Sequence, residues 1–211
     1  MNRNELQACK DGYIYIHDQS ARLDTMNCCL FDVASVLSGG FEMGNVWYNE
    51  PKTLDTAFDV MGDIVLSTAA QQYGGFTVPE VDKILAPYAK KSYDKYVQEF
   101  LQYSDKSWTG REEKAIEYAL DKVRRDFDQG WQGIEYKLNT VGSSRGDYPF
   151  VTVTLGLGTG QFEKIVQYFS SGGPQGRTGQ DGHKNPVLFP KIVFLYDENI
   201  HGPGQCCEDV F

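Results

Sequence analysis

The sequence predicts an α/β fold in which helices connect strands that run parallel and are buried on both faces. Three observations carry this expectation. Runs rich in β-branched and aromatic residues stand near both ends of the chain, at Gly12–Ile16, Cys28–Val36, Pro149–Leu155 and Val187–Tyr196. Long stretches of helical periodicity separate the first two runs from the last two. Glycine clusters fall where the periodicity stops.

Taken in order, Gly12–Ile16 and the apolar run from Cys28 to Val36 read as buried strand or strand-to-helix segments, joined by the polar connector His17 to Asn27. Pro51 opens a helical stretch in which Leu54, Ala57, Phe58, Met61, Val65, Thr68 and Ala69 recur at helical spacing until Gly74-Gly75 stops it. Thr77 followed by Glu80 has the form of a capping box, with Pro79 in the first turn of a second helix that bends at Pro87 and resumes through Tyr93, Tyr96, Val97 and Phe100. A third helical region runs from Arg111 to Leu138 with Ile116, Leu120, Val123, Phe127, Ile134 and Leu138 on one face. The glycine-rich segment from Ser170 to Asn185 reads as a mobile loop between the last two strands. The chain stops soon after the last strand with no helix to cover it, as a cut chain would end.

Composition bounds the function. Hydrophobic residues make up 41% of the 211 and there are 22 glycines, so a packed core is expected and general disorder is excluded. Twenty Lys and Arg against 29 Asp and Glu leave a formal charge of -9, which offers no chain-wide attraction for a phosphate polymer. No apolar run has the length of a membrane span, and the N-terminus lacks an apolar signal core. The expectation is a soluble cytoplasmic protein with neither a nucleic acid nor a membrane partner. Five cysteines, with two adjacent pairs and no C-x-x-C spacing, define neither a disulfide framework nor a zinc site. Cys206 and Cys207 read as two unrelated thiols.

Chemistry is concentrated in few places. Gly156-Leu-Gly158-Thr-Gly160 is either a phosphate loop or a strand-to-helix turn, and its spacing departs from the dinucleotide fingerprint. No phosphate-loop lysine motif, zinc-protease helix motif or serine-hydrolase elbow occurs. The segment from His17 to Asp32 gathers an imidazole, carboxylates, an amide and thiols around one strand pair. A His17–Asp18 pair there serves either catalysis or a structural hydrogen bond.

Ordered blocks along nearly the whole chain carry a resemblance. Gly12-Tyr-Ile-Tyr-Ile-His17-Asp18, Asn27-Cys28-Cys29-Leu30-Phe-Asp32, Gly39-Gly-Phe-Glu-Met-Gly44, Glu50-Pro51-Lys52-Thr53, Tyr73-Gly74-Gly75, Leu85-Ala-Pro87, Asn139-Thr140, Pro149-Phe-Val-Thr152 and Phe189-Pro190-Lys191 resemble the anaerobic, class III ribonucleoside-triphosphate reductases. These are glycyl radical enzymes of deoxyribonucleotide biosynthesis. The resemblance implies the first half of a ten-stranded α/β barrel, with residues 1–50 as first strands bearing the site cysteine. Residues 51–138 would form a helical effector and dimer region, and 139–211 further barrel strands with the glycine-rich loop. In the family a glycyl radical oxidises a finger-loop cysteine to a thiyl radical, which takes the ribose 3′ hydrogen. The finger loop, the glycyl segment, the N-terminal ATP-cone and the C-terminal four-cysteine metal site have no counterpart in this sequence.

The resemblance also implies residue roles. Cys28, after Asn27 at the substrate, corresponds to the cysteine that supplies hydrogen while the 2′ hydroxyl leaves. Its neighbour Cys29 would point to the opposite strand face. His17 matches a histidine that helps formate act as reductant, against the simpler reading of a hydrogen bond with Asp18. Lys52, at a helix start, and Lys95, on the next helix, would hold a deoxynucleoside triphosphate effector, or else are two solvated lysines. Implied partners are a ribonucleoside triphosphate, formate, the C-terminal half, a radical-SAM iron-sulfur activase and a second subunit. No cofactor or metal is expected on this segment, the structural zinc belonging to the C-terminal part. The competing reading is a non-catalytic nucleotide-binding or dimerisation module derived from such an enzyme.

Overall fold

The computed structural model describes residues 3–11, 13, 27–72, 74–140, 142, 148–172, 177–178, 182–185 and 187–208. The predicted strand at Gly12–Ile16 and the connector from His17 lie outside these residues, apart from Tyr13 and Asn27.

A four-stranded sheet organises the chain. Its strands are β1 (Cys29–Leu30), β4 (Phe76–Val78), β5 (Val151–Leu155) and β8 (Lys191–Phe194), paired in the order β1-β4-β5-β8. All three pairings are parallel, with Cys29 opposite Phe76, Phe76 opposite Val151 and Thr152 opposite Lys191. Parallel neighbours need long crossovers, and helices supply them. α2 (Val33–Leu37) and α3 (Leu54–Ala69) join β1 to β4, with the hairpin β2 (Phe41–Met43) and β3 (Val46–Tyr48) between them. α4 (Val81–Tyr103) and α5 (Arg111–Thr140) join β4 to β5. α6 (Gln161–Gly172), followed by the short antiparallel pair β6 (Arg177–Thr178) and β7 (Lys184–Asn185), joins β5 to β8. α1 (Arg3–Lys10) and α7 (Glu198–His201) stand outside this series.

The core lies between one sheet face and the helices. Phe76, Val78, Val151, Val153 and Leu155 pack with Leu54, Phe58, Met61 and Val65 of α3, Leu85 and Ala89 of α4, and Val123, Phe127, Trp131 and Leu138 of α5. Each large apolar side chain buried this way contributes about 1.5–3 kcal/mol. The other sheet face has no helix among the described residues. Its alternate positions Thr77, Thr152 and Thr154 are half-buried, and Leu30 is 78% exposed. Among the described residues, then, helices bury this sheet on one face, where the sequence predicts burial on both.

Local expectations are corrected as well. Thr77 is the middle residue of β4, where its carbonyl accepts the Phe31 N–H at 2.9 Å, so it cannot turn to cap a helix. α4 begins instead after Glu80, whose left-handed backbone (φ 49°) turns the chain while its N–H donates to Thr154 Oγ1 at 2.8 Å. On α5 the buried stripe runs through Ala115, Ala119, Val123 and Phe127, and Ile116 is exposed. Val123, Phe127, Ile134 and Leu138 are buried as the periodicity predicts, while in the first turns the small Ala115 and Ala119 take the buried positions, where alanine lets the helix approach its neighbours closely. The last strand is confined to Lys191–Phe194, because Pro190 has no N–H to give to a ladder. α6 extends through Ser170 to Gly172, into the segment read as loop, and a single helical turn, α7, follows β8.

Candidate functional site

The site is built at the start of β1. Cys28 directly precedes the strand, and successive strand side chains alternate, so Cys28 and Leu30 share the helix-free face while Cys29 turns to the helices. The thiol of Cys28 is exposed and that of Cys29 half-buried, with Cys29 Sγ donating to Gln72 Oε1 at 3.0 Å. Burial pushes the Cys29 thiol upward, against the opposing effect of the Gln72 hydrogen bond, so it is held as a neutral thiol. The predicted division of the two cysteines between opposite faces is what the backbone produces.

The connector from α3 to β4 meets the same spot. Gly74 N–H donates to Asn27 O at 2.5 Å, Gly75 N–H donates to Cys28 Sγ at 3.3 Å, and Gly75 O accepts from Cys29 N at 3.0 Å. The Asn27 side-chain oxygen lies 3.9 Å from Cys28 Sγ, at the far limit for a thiol hydrogen bond. Gln72 Nε2 donates to Gly74 O at 3.2 Å. A Cβ on Gly74 would stand 2.4 Å from Asn27 O and 2.5 Å from Cys28 Sγ, so only glycine fits. Next to Gly75 across the sheet stands Phe150, whose ring lies 5.8 Å from Lys191 Nζ and packs edge-on against Phe189. Cys28 thus shares its face with backbone amides, threonine hydroxyls, aromatic rings and one cation.

His17 lies outside the described residues, so its relation to Cys28 is not part of this geometry. Lys52 is exposed two positions before α3, and Lys95 is exposed on α4. The helix end between them is already engaged. Leu54 N–H donates to Ser92 Oγ at 2.8 Å, and Lys91 pairs with Glu50 while reaching Pro51 O at 3.4 Å. Asp55 is held below the ordinary carboxylate range first by the Thr53 hydroxyl and in smaller part by the charge of Lys95. Lys95 also lies 5.6 Å from the Tyr96 ring, whose hydroxyl donates to Asp126 at 2.6 Å. The fold therefore gathers Lys52 and Lys95 near one helix end, but gives Lys95 acidic neighbours that oppose a bound anion.

The glycine loop after β5 resolves toward the turn. Asp82, fully buried, accepts from Gly156 N and Gly158 N, both at 3.0 Å, and from Gln167 Nε2 at 2.6 Å. Amides that would cradle a phosphate are already held by a carboxylate. Cys206 and Cys207 are free thiols 3.5 Å apart. Among the described residues no group of three or more His, Cys, Asp or Glu is placed to hold a metal, and no helix is long and apolar enough to cross a membrane. Sequence reasoning missed Gln72 and Asp82, since a polar residue at the end or beginning of a helix carries no signal that it is buried.

Comparison with known proteins points one way. The family model described as anaerobic ribonucleoside-triphosphate reductase matches residues 1–210. The reductase of that name from Enterobacteria phage T4 is 36% identical over 93% of this chain, which covers 31% of the phage protein. The Haemophilus influenzae reductase is 32% identical over 94% of the chain, covering 27% of its own length. The Escherichia coli reductase is 30% identical over 99% of the chain, covering 28% of its length. A crystal structure of the Thermotoga maritima anaerobic ribonucleotide reductase with dATP bound in the specificity site superposes with a TM-score of 0.60 at 14% identity, over 90% of this chain and 32% of that one. Another anaerobic ribonucleotide reductase gives 0.61 at 14% identity, over 90% and 29%. At that identity the structures speak for the fold alone. The chain spans about three-tenths of the length of the curated relatives it matches.

Proposed function

Because the chain belongs to the anaerobic ribonucleoside-triphosphate reductase family, we propose that it is part of an enzyme that converts ribonucleoside triphosphates to 2′-deoxyribonucleoside triphosphates. One observation carries this reading: the Cys28 thiol stands exposed on the helix-free sheet face while Cys29 is turned away into a hydrogen bond with Gln72. A hydrogen donor must reach the ribose, and of these two sulfurs only Cys28 is free to do so.

The balance of the reaction is simple. Ribonucleoside triphosphate, formate and one proton give deoxynucleoside triphosphate, carbon dioxide and water. Formate is oxidised by two electrons, the 2′ C–O bond breaks, and the hydroxyl leaves as water. A glycyl radical, raised by a radical-SAM activase on another segment of the full enzyme, supplies the initiating one-electron chemistry. The residues here bind, orient and protect. Cys28 holds the hydrogen to be delivered, Asn27 flanks it, and His17 orients formate. The helix-free face, with Thr77, Thr152, Phe150 and Lys191, becomes the inner wall of a ten-stranded barrel completed by the C-terminal half.

The helical middle of the chain serves regulation. Lys52 and Lys95 contact a deoxynucleoside triphosphate effector across a homodimer, in line with the dATP held in the specificity site of the Thermotoga maritima protein. The acidic neighbours of Lys95 make it the weaker of the two contacts. Control of this kind is a coupling between effector and substrate sites.

Reconstitution tests the reading. The chain is incubated anaerobically with the remaining segments of a full-length reductase, the activase, formate and a ribonucleoside triphosphate. Deoxynucleotide is expected from the mixture and not from the chain alone. Cys28→Ala should lower turnover by roughly a thousandfold or more, about 4 kcal/mol in the barrier, while Cys29→Ala keeps most of it. Product from the isolated chain, or full activity of Cys28→Ala, overturns the proposal.

A further inference from the structure

We propose that Gln72 and the Gly74-Gly75 pair form a clamp that fixes the position of the Cys28 sulfur, making them positioning residues for the hydrogen transfer. This rests on the reading of Cys28 as hydrogen donor, but the clamp itself is an observation about contacts.

Among the described residues the two-residue strand β1 stands at the edge of the sheet with β4 as its one neighbour, and Cys28 lies just before its ladder. Nothing in β1 alone would hold an exposed thiol to within the fractions of an ångström that transfer between a sulfur and a ribose carbon requires. The connector before β4 does so from three sides. Gly75 N–H meets the sulfur at 3.3 Å, Gly74 N–H fastens the preceding Asn27 carbonyl at 2.5 Å, and the absent side chain of Gly74 leaves the space the sulfur occupies.

Gln72 then sets where the connector lies. It is 2% exposed and terminates the α3 side of the turn. Its amide works in both directions, accepting from Cys29 Sγ at 3.0 Å and donating to Gly74 O at 3.2 Å. The two adjacent cysteines thus have different duties. Cys29 anchors Gln72, Gln72 anchors Gly74, and the glycine pair holds Cys28. A glutamine that had only to fill space would need neither bond, and a buried amide left without partners costs about 1–3 kcal/mol.

The clamp is tested on the full chain by following iodoacetamide labelling of Cys28, with Cys206, also exposed, as the internal reference and buried Cys207 as the reporter of unfolding. Gln72→Met keeps length and removes both hydrogen bonds; it should speed Cys28 labelling at least threefold with Cys206 unchanged. Gly74→Ala places a methyl against the sulfur and should slow it at least threefold. If Gly74→Ala exposes Cys207, the decision falls to Gln72→Met alone. Labelling of Cys28 at the natural rate in the folded variants overturns the clamp. In the reconstituted reductase Gln72→Met should lower kcat at least tenfold with KM within twofold. Altered labelling with unaltered kcat overturns the positioning role of these residues, while the turnover of Cys28→Ala decides separately whether Cys28 takes part in the reaction.

Discussion

Asp82 shows how a single residue can hold a turn that resembles a ligand site. Its carboxylate is fully buried and takes three N–H donors, two from the glycine loop after β5 and one from Gln167 of α6. Charge-assisted bonds of this kind are about twice as strong as neutral ones, and the alternative is three buried donors without an acceptor. Asp82→Ala is therefore expected to destabilise the chain by about 3–5 kcal/mol, read as a lowered denaturant midpoint. A loss under about 1 kcal/mol would show that the loop is held otherwise. From the sequence, Gly156 to Gly160 was open to two readings, because glycine spacing says where a backbone is permissive and not what fills it. The cysteine pair was more legible, since alternation along a strand is a property of the backbone itself.

At the scale of elements, the contact of α3 with α5 turns on a glycine. A Cβ on Gly130 would meet the Phe58 ring at 2.2–2.8 Å, where Phe58 also packs edge-on against Phe127 at 5.1 Å between ring centres. Alanine is favoured over glycine in a helix by about 1 kcal/mol, but overpacking a tight core contact costs about 1–3 kcal/mol. The clash wins, and Gly130→Ala should lower stability by up to about 2 kcal/mol in chemical denaturation. The junction of α4 with α5 is polar instead. Burial raises the Asp126 carboxyl, with the Tyr96 hydroxyl bond acting against that rise. A group raised in the folded state contributes stability below its unfolded value, and loses it as pH climbs through the folded one. Asp126→Asn keeps an acceptor for Tyr96 and removes the charge, so it should exceed the natural chain near pH 7 by less than about 1 kcal/mol, solvent screening included. The advantage should vanish below about pH 3, where the natural carboxyl is protonated in both states; an advantage independent of pH contradicts this account. Periodicity located α3, α4 and α5 well and put Val123, Phe127, Ile134 and Leu138 on the buried face of α5, but it passed over Ala115 and Ala119, since alanine carries too weak a signal to mark a close helix contact.

For the molecule as a whole, the decisive feature is a sheet that, among the described residues, helices cover on one side. Leu30, Phe150, Leu188 and Val193 are exposed, the first, second and last of them on or beside the helix-free face. Under the proposed function this face is an interior wall, so Leu30→Lys should leave the stability of the chain within about 0.5 kcal/mol, as surface changes do. The same substitution should cut reconstituted turnover at least tenfold; undiminished turnover would place the face outside the barrel. The sequence alone determined the α/β class, the main helices, the parallel sheet and the ordered motifs of the family, because periodicity and short-range residue order are written locally along the chain. Tertiary structure alone decided that the glycine loop is closed by Asp82, that Lys95 has acidic neighbours, and that Gln72 reaches both a cysteine and a glycine. The contacts of Asp82 with the loop and Gln167, of Lys95 with Asp55 and of Gln72 with Cys29 join positions 40 to 85 residues apart in the chain, and only the packing of helices on one sheet face brings such residues together.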